Sequence, residues 1–415
     1  MVLYRCLHIG IDCIGQFMFI KNQIGIQQWD KFREEVMFMT MAKKLPILSP
    51  SIHTFEIVGE YADYRLKDII FGSMMKLVDE GEYKRGKRDK KYYTYNKIGG
   101  GLKIKLSSCP EYRKYYITLS GVNLSRIARE PSRLKLTDLS SQGLIQEEEI
   151  FLDELERIGI LGVENLITWK MKRVDITQDF YVKSDPTLPM KAVRYAGKVE
   201  PHGKGRAEHH KQHNEIRSCR FIKDKYNFEL YDKHQQLLAC GENERHDIRP
   251  EDIEVSKNLV RYEIQLKRPY LKDFEQENLN GMKMILSNHA LFSYFEALRE
   301  RIPEILYECA RKMFGAHPWY HASGALERLE ESNLDKKTKK LVCSYIEAAN
   351  EQGKPMKCSY RKKERIVEAL DILEINTVII PDRILNKRQY ARFPLAPICS
   401  RVQGIDNQST DELYG

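Results

Sequence analysis

Asp175, Tyr231, Lys233 and Glu263 are the residues of this chain whose types and spacing could do chemistry together. Each lies in a short run that reads as a strand: residues 172–180, 227–234 and 259–267. Side chains in a strand alternate between its two faces, so Asp175, Thr177 and Asp179 share one face of the first run, while Val174 and Ile176 share the other. The same count groups Glu229, Tyr231 and Lys233 in the middle run. In the last run it groups Arg261, Glu263, Gln265 and Lys267 against an opposite face of Val260, Tyr262, Ile264 and Leu266. If the three strands are neighbours in a sheet, their polar fronts make one surface. Carboxylates at Asp175 and Glu263 are hard oxygen ligands suited to Mg2+ or Mn2+, ions that keep several waters and grip phosphate oxygens. A tyrosine hydroxyl is a weak nucleophile that needs an activated electrophile and a nearby base or cation, and Lys233 could supply the charge. The reaction these groups suit is attack of Tyr231 on a DNA phosphodiester to leave a covalent phosphotyrosine. Taken singly, each short motif is more often an exposed face or a salt bridge than a catalytic group. The three in this order carry the expectation.

The runs Lys172 to Thr177, Leu230 to His234 and Leu259 to Glu263, with the tail Arg268, Pro269, Tyr270, Leu271, Lys272, Asp273 and Phe274, resemble the replication initiators of filamentous bacteriophages. These are the gene II type nicking and closing proteins, relatives of the plasmid rolling-circle initiators. Weaker echoes lie at residues 116–121 and 136–139 and in the C-terminal helices, so the likeness runs loosely over 100–390 and tightly over 170–275. The resemblance implies that Tyr231 is the nucleophile, that Asp175 and Glu263 hold the metal, and that Asp179 is a weaker third candidate. It also implies origin DNA as substrate, duplex and single-stranded, with a host helicase, single-strand binding protein and polymerase as partners in a bacterial cytoplasm. The fold expected is α+β, with a central, mostly antiparallel sheet of rolling-circle-initiator (HUH-like) type and a helical C-terminal domain. Two other readings stand beside it. A plasmid initiator or mobilisation relaxase would share the chemistry, and a non-catalytic DNA-binding regulator would keep only the basic faces.

Composition agrees with a globular chain that could meet nucleic acid. The 415 residues, 42% of them hydrophobic, suffice for two or three domains, and a formal charge of +9 suits DNA without demanding it. Nine cysteines without a C-x-x-C pair fit reduced thiols and neither a disulfide framework nor a zinc ribbon. The apolar N-terminus is interrupted by Arg5, His8 and Asp12 and is expected to be a buried element, with no membrane span.

Four regions follow from the patterning: an N-terminal region over 1–98, a catalytic domain over 99–275, a helical domain over 276–395 and a tail over 396–415. Function is not legible in the first 60 residues, where a helix is expected over 27–42. Lys84, Arg85, Lys87 and Arg88 precede Tyr92, Tyr93 and Tyr95, an interleaving that could track a single strand or could form a plain hairpin tip. Helices are expected over 123–128, 146–158 (with acids in its first turns) and 186–197. The polar run 199–215 holds His202, His209, His210 and His213 but lacks the alternation of a His-hydrophobe-His ligand strand. It is expected to be a loop touching DNA, with a histidine ligand as the lesser alternative. Farther on, helices are expected from 280 to 299, over 303–314, 325–329 and 336–351, and over 361–373. The 336–349 and 361–373 pair, with Arg361, Lys362 and Lys363 in a first turn, could read duplex DNA as a helix-turn-helix or could be simply two packed helices. A strand or wing at 377–380 is expected to precede a last basic run. Arg261 and Lys267 are expected to meet DNA phosphates, although Arg261 could instead brace a carboxylate.

Overall fold

The structure is a computed structural model that describes residues 50–383, apart from 62–63, 87–91, 110–113, 129–131, 133, 161–167, 182–185, 188–189, 191–205, 213–214, 240–247, 280–289, 315–316, 318, 353–355 and 357. The chain divides into Met1–Leu48 and Ser49–Gly415, and the description concerns the second unit. The helix expected over 27–42, most of that over 186–197, Lys87, Arg88, His202 and His213 all lie outside the described residues.

The elements run β1 (Ser51–Tyr61), α1 (Tyr64–Asp79), β2 (Tyr83–Arg85), β3 (Tyr92–Lys97), β4 (Lys103–Cys109), β5 (Lys114–Val122), α2 (Leu124–Ala128), α3 (Ser141–Arg157) and β6 (Thr168–Tyr181). They continue with β7 (Arg206–Gln212), β8 (Glu215–Ile222), β9 (Tyr226–Asp232), α4 (Lys233–Leu238), α5 (Pro250–Val255), β10 (Leu259–Lys267) and α6 (Arg268–Asn278). Last come α7 (Ala290–Phe314), β11 (Tyr320–His321), α8 (Ala322–Glu330), α9 (Lys336–Gln352), α10 (Tyr360–Ile372) and β12 (Ile379–Ile380).

The architecture is α+β. Ten strands form one antiparallel sheet in the order β2-β3-β4-β5-β1-β6-β10-β9-β8-β7, while β11 and β12 pair in parallel apart from it. Hairpin neighbours build each half, and β1 joins the halves by pairing with β5 on one side and β6 on the other. Residues 51–97 therefore belong to the sheet that carries the candidate site, and a domain boundary at 98/99 would cut through it.

One face of the sheet is apolar because the strand alternation makes it so. Phe55, Val174, Ile176, Phe228, Tyr262 and Ile264 are buried, and helices α3 and α7 contribute Phe151 and Phe295 to the same core. Phe55 meets Phe295 edge-on at 5.0 Å and Phe151 at 6.0 Å, contacts that fix how the two helices sit on the strands. A second core gathers Ala325, Val342, Ile346, Ile366 and Leu370 from α8, α9 and α10.

Several boundaries differ from the sequence expectation for local reasons. Helix α3 begins at Ser141, because Ser140 caps it by accepting a bond from the Gly143 amide at 3.0 Å, so the acids at 147–149 sit mid-helix and not in its first turn. Residues 290–314 form one helix that runs through Pro303 where a break is expected. Residues 206–212 form the edge strand β7 and not a loop; the ladder to β8 takes up its backbone groups.

Candidate active site

Strands β6, β10 and β9 are adjacent, and their registers bring the polar residues into rows. Asp179 pairs with Arg261, which pairs with Tyr231; Thr177 pairs with Glu263, which pairs with Glu229; Asp175 pairs with Gln265, which pairs with Asn227. The surface expected from alternation is thus assembled by two antiparallel ladders. Tyr231, on β9, donates from its hydroxyl to Glu263 Oε2 at 3.4 Å. Gln265 Nε2 approaches the other oxygen of that carboxylate at 3.4 Å, and Gln265 Oε1 itself accepts from Arg220 and Asn227.

The sequence reading missed His53. Its Nδ1 lies 3.1 Å from Glu263 Oε2, the oxygen that Tyr231 also approaches. A β-bulge puts it there. Ile52 pairs with Ile176 and Thr54 with Asp175, so His53 is the extra residue of β1 and breaks the alternation between them. Thr54 consequently reaches Asp175 Oδ2 and donates to it at 2.5 Å. Two consecutive residues serve the two carboxylates, an arrangement that a regular strand would forbid. Burial holds the His53 pKa below its ordinary value, against the hydrogen bond and charge of Glu263, while Arg261 and Lys233 lower it further. The neutral ring that donates from Nδ1 to Glu263 keeps a lone pair on Nε2.

Electrostatics divide the carboxylates. Burial pushes Asp175 up to about 7, aided by the negative charge of Glu263 and opposed by Arg173 and by the Thr54 hydrogen bond. Burial acts the same way on Glu263, but the hydrogen bond and charge of His53, with Arg261 and Gln265, outweigh it and hold that group down at about 2. Two carboxylates facing one site cannot both ionise cheaply without a cation. Asp175 Oδ1 has the Arg173 Nε 3.0 Å away as an ion pair, but the approach is not aligned as a hydrogen bond. Burial raises the Tyr231 hydroxyl well above its ordinary value, with Glu263 adding to the shift and Arg261 opposing it.

Several expected roles change. Asp179 is spent on Arg261, which grips it with Nε and Nη2 at 2.6 Å each while both side chains are fully buried. Asp179 is therefore no metal ligand, and Arg261 braces it and does not meet DNA. Breaking such a pair costs about 3–5 kcal/mol because the remaining charge is left buried. The Nη1 of Arg261 has no hydrogen-bond partner among the described residues, and Arg261 stands in register directly opposite Tyr231. Lys233 is not on the strand face: β9 stops at Asp232, whose carboxylate caps α4 by accepting from the Gln235 amide at 3.0 Å. The Lys233 ammonium lies 5.8 Å over the Tyr231 ring and 2.8 Å from Gln236 Oε1. Lys267 turns to the Lys223 carbonyl, which takes it from the DNA role. Lys84 and Arg85 are exposed on edge strand β2, with the Arg85 guanidinium 5.6 Å over Tyr93. Arg361, Lys362 and Lys363 are exposed on α10. His210 stands in register opposite Ser218, and His209 opposite Cys219.

Among the described residues no group of three or more His, Cys, Asp or Glu side chains is placed to hold a metal ion. Mg2+ is commonly held by one or two carboxylates with waters and substrate phosphates completing its shell, and Asp175 with Glu263 fits that donor set.

Comparison with protein-family models gives no match, and comparison with curated proteins gives none either.

Replacement of His53 by Gln should lower the rate of the candidate reaction by about 10- to 100-fold, the usual cost of losing a group that orients a ligand. Single-turnover cleavage assays would show it. A rate unchanged from the parent would leave His53 as a filler of the bulge.

Proposed function

We propose that the chain is a metal-dependent DNA nicking endonuclease and strand transferase that initiates rolling-circle replication, of the filamentous-phage initiator type that its motifs resemble. The observation that supports this best is the row of adjacent strands bringing Tyr231 within hydrogen-bond reach of Glu263, with Asp175 and His53 beside it. A regulator that only bound DNA would have no use for a buried phenol aimed at a carboxylate. The large antiparallel sheet is compatible with an HUH-like nickase whose metal rests on carboxylates in place of paired strand histidines.

In the proposed reaction the Tyr231 oxygen attacks the scissile phosphorus and a phenolic O–P bond forms. The P–O3′ bond breaks, its electron pair leaves with the 3′ oxygen, and the 5′ phosphate stays on the protein. The phenolic proton departs along the contact to Glu263 Oε2, the oxygen that His53 also engages. Arg261, held by Asp179, favours the phenolate as it forms. The Lys233 ammonium adds positive charge beside the phosphate. A bound Mg2+ or Mn2+, held by Asp175 and Glu263, would supply charge neutralisation on the phosphate oxygens. The covalent ester conserves the energy of the cut, so rejoining by a 3′ hydroxyl needs no nucleotide triphosphate. Origin DNA, a host helicase, a single-strand binding protein and a polymerase are the partners this role requires.

The test is to incubate the protein with supercoiled origin DNA, with magnesium or with EDTA, then to denature and digest the DNA. A nucleotide-shifted protein band that needs metal, with the adduct mapped to Tyr231, is the expected outcome. Absence of any adduct, with salt-sensitive DNA binding intact, would favour the regulator.

A further inference from the structure

The helical module built on the second core carries a cationic surface that the fold does not use. Lys336, Lys337 and Lys340 on α9 are exposed, as are Arg361, Lys362 and Lys363 on α10, and none of the six has an ion-pair partner among the described residues. The two clusters adjoin, since Arg365 Nη2, in the second turn of α10, donates to the Thr338 hydroxyl in the first turn of α9 at 3.3 Å. Neither helix has an acidic residue in its first turn, the place where the helix dipole favours one and disfavours cations. The nearby acids are already engaged: Asp335 accepts from the Thr338 hydroxyl at 2.5 Å and from the amides of Lys337 and Thr338. Glu364 hydrogen-bonds the exposed Tyr360. Six exposed cations without an ion-pair partner among the described residues stand near two helix N-termini, where the dipole disfavours them, and this points to an anionic partner.

We infer that the adjoining N-terminal two turns of α9 and α10 form a clamp for the sugar-phosphate backbone of duplex DNA, with Lys336, Lys337, Lys340, Arg361, Lys362 and Lys363 as its phosphate contacts. The inference deepens the nicking reading and rests on it for its biological setting. A duplex fits better than a single strand, because single-strand tracks interleave cations with stacking aromatic faces. Here the one exposed aromatic of the two turns, Tyr360, is held by Glu364. Val342, Ile346, Ile366 and Leu370 lock the helices together behind the cations, so the clamp is presented rigidly.

The test compares the full-length protein with a variant carrying Lys336→Gln, Lys337→Gln, Lys340→Gln, Arg361→Gln, Lys362→Gln and Lys363→Gln. Anisotropy of a labelled mixed-sequence duplex would be followed against salt. Each lost phosphate contact removes about 0.9 from the slope of log affinity against log salt. The variant should therefore lose about 3 or more from that slope and about 100-fold in affinity at roughly 0.15 M salt. Cleavage of a single-stranded origin oligonucleotide should stay within about twofold, which also shows that the variant is folded. An unchanged duplex slope would overturn the clamp. So would retained duplex affinity combined with loss of binding to poly-glutamate, which would assign the surface to an acidic protein. If neither protein cleaves the oligonucleotide, the nicking reading fails while the duplex slopes still decide the clamp, with matched unfolding curves as the folding control.

Discussion

Tyr231→Phe should abolish the covalent protein–DNA adduct, lowering cleavage by about 10^4-fold or more, the scale on which a lost nucleophile is felt. Affinity for origin DNA should remain within a few-fold. The substitution removes one oxygen from a side chain that is already buried, and its ring continues to fill the same space. The hydrogen bond it deletes is the long one to Glu263, so the cost in stability should not exceed about 1 kcal/mol. Gel analysis of denatured, nuclease-treated reactions measures the adduct, and titration of labelled DNA measures binding. A variant that still forms the adduct would remove Tyr231 from the chemistry. A collapse of binding together with cleavage would make it a structural residue.

Asp175→Asn should do two opposite things: stop nicking and stabilise the protein at alkaline pH in EDTA. The reason lies in the raised pKa of Asp175, about 7 in the folded chain against 3.8 ordinarily. Between those values the folded state binds more protons than the unfolded state, so this group's contribution to stability falls as pH rises through the window. Above the folded pKa the penalty is complete, on the order of 4 kcal/mol for an unrelieved shift of this size. Below the unfolded pKa it vanishes. An asparagine oxygen can still accept from Thr54 but carries no charge against Glu263. Thermal unfolding at about pH 8 without metal should therefore give a Tm several degrees higher for the variant, with the gap closing towards about pH 4. Excess magnesium should raise the parent and leave the variant where it was. A lower Tm for the variant at alkaline pH would mean that Arg173 already neutralises Asp175.

The strands of the candidate site were legible because their apolar and polar residues alternate over enough positions to define two faces. β10 spans the same residues that alternation predicts, 259–267. Sheet order was not legible, since β6 and β10 meet through residues far apart in the chain, such as Arg261 with Asp179, 82 positions away, and β10 meets β9 through residues such as Glu263 and Tyr231, 32 positions apart. Lys233 was misplaced although a local signal existed: Asp232 and Gln235 have the spacing of a helix cap, and a strand count carried through them runs past the end of β9. His53 had no such signal. Period-two alternation assigns Thr54 to the face opposite Ser51 and His53, and only the bulge against β6 brings both His53 and Thr54 to the carboxylates. That Arg261 could brace a carboxylate was open from its type, but its choice of Asp179 was not legible, because an R-x-E motif looks the same whether its arginine faces solvent or a buried acid.

The position of β1 bears on when during synthesis the candidate site can form. It leaves the ribosome before the other described strands, yet its partners in the middle of the sheet are β5 and β6, and the carboxylate that His53 engages lies 210 residues later on β10. The hairpins on either side can form from near neighbours, whereas seating β1 closes a very long loop. A nascent chain that has not yet released β10 has a histidine without its glutamate and a tyrosine without its hydrogen-bond acceptor. The candidate site should consequently assemble in a single late step, once β10 has emerged.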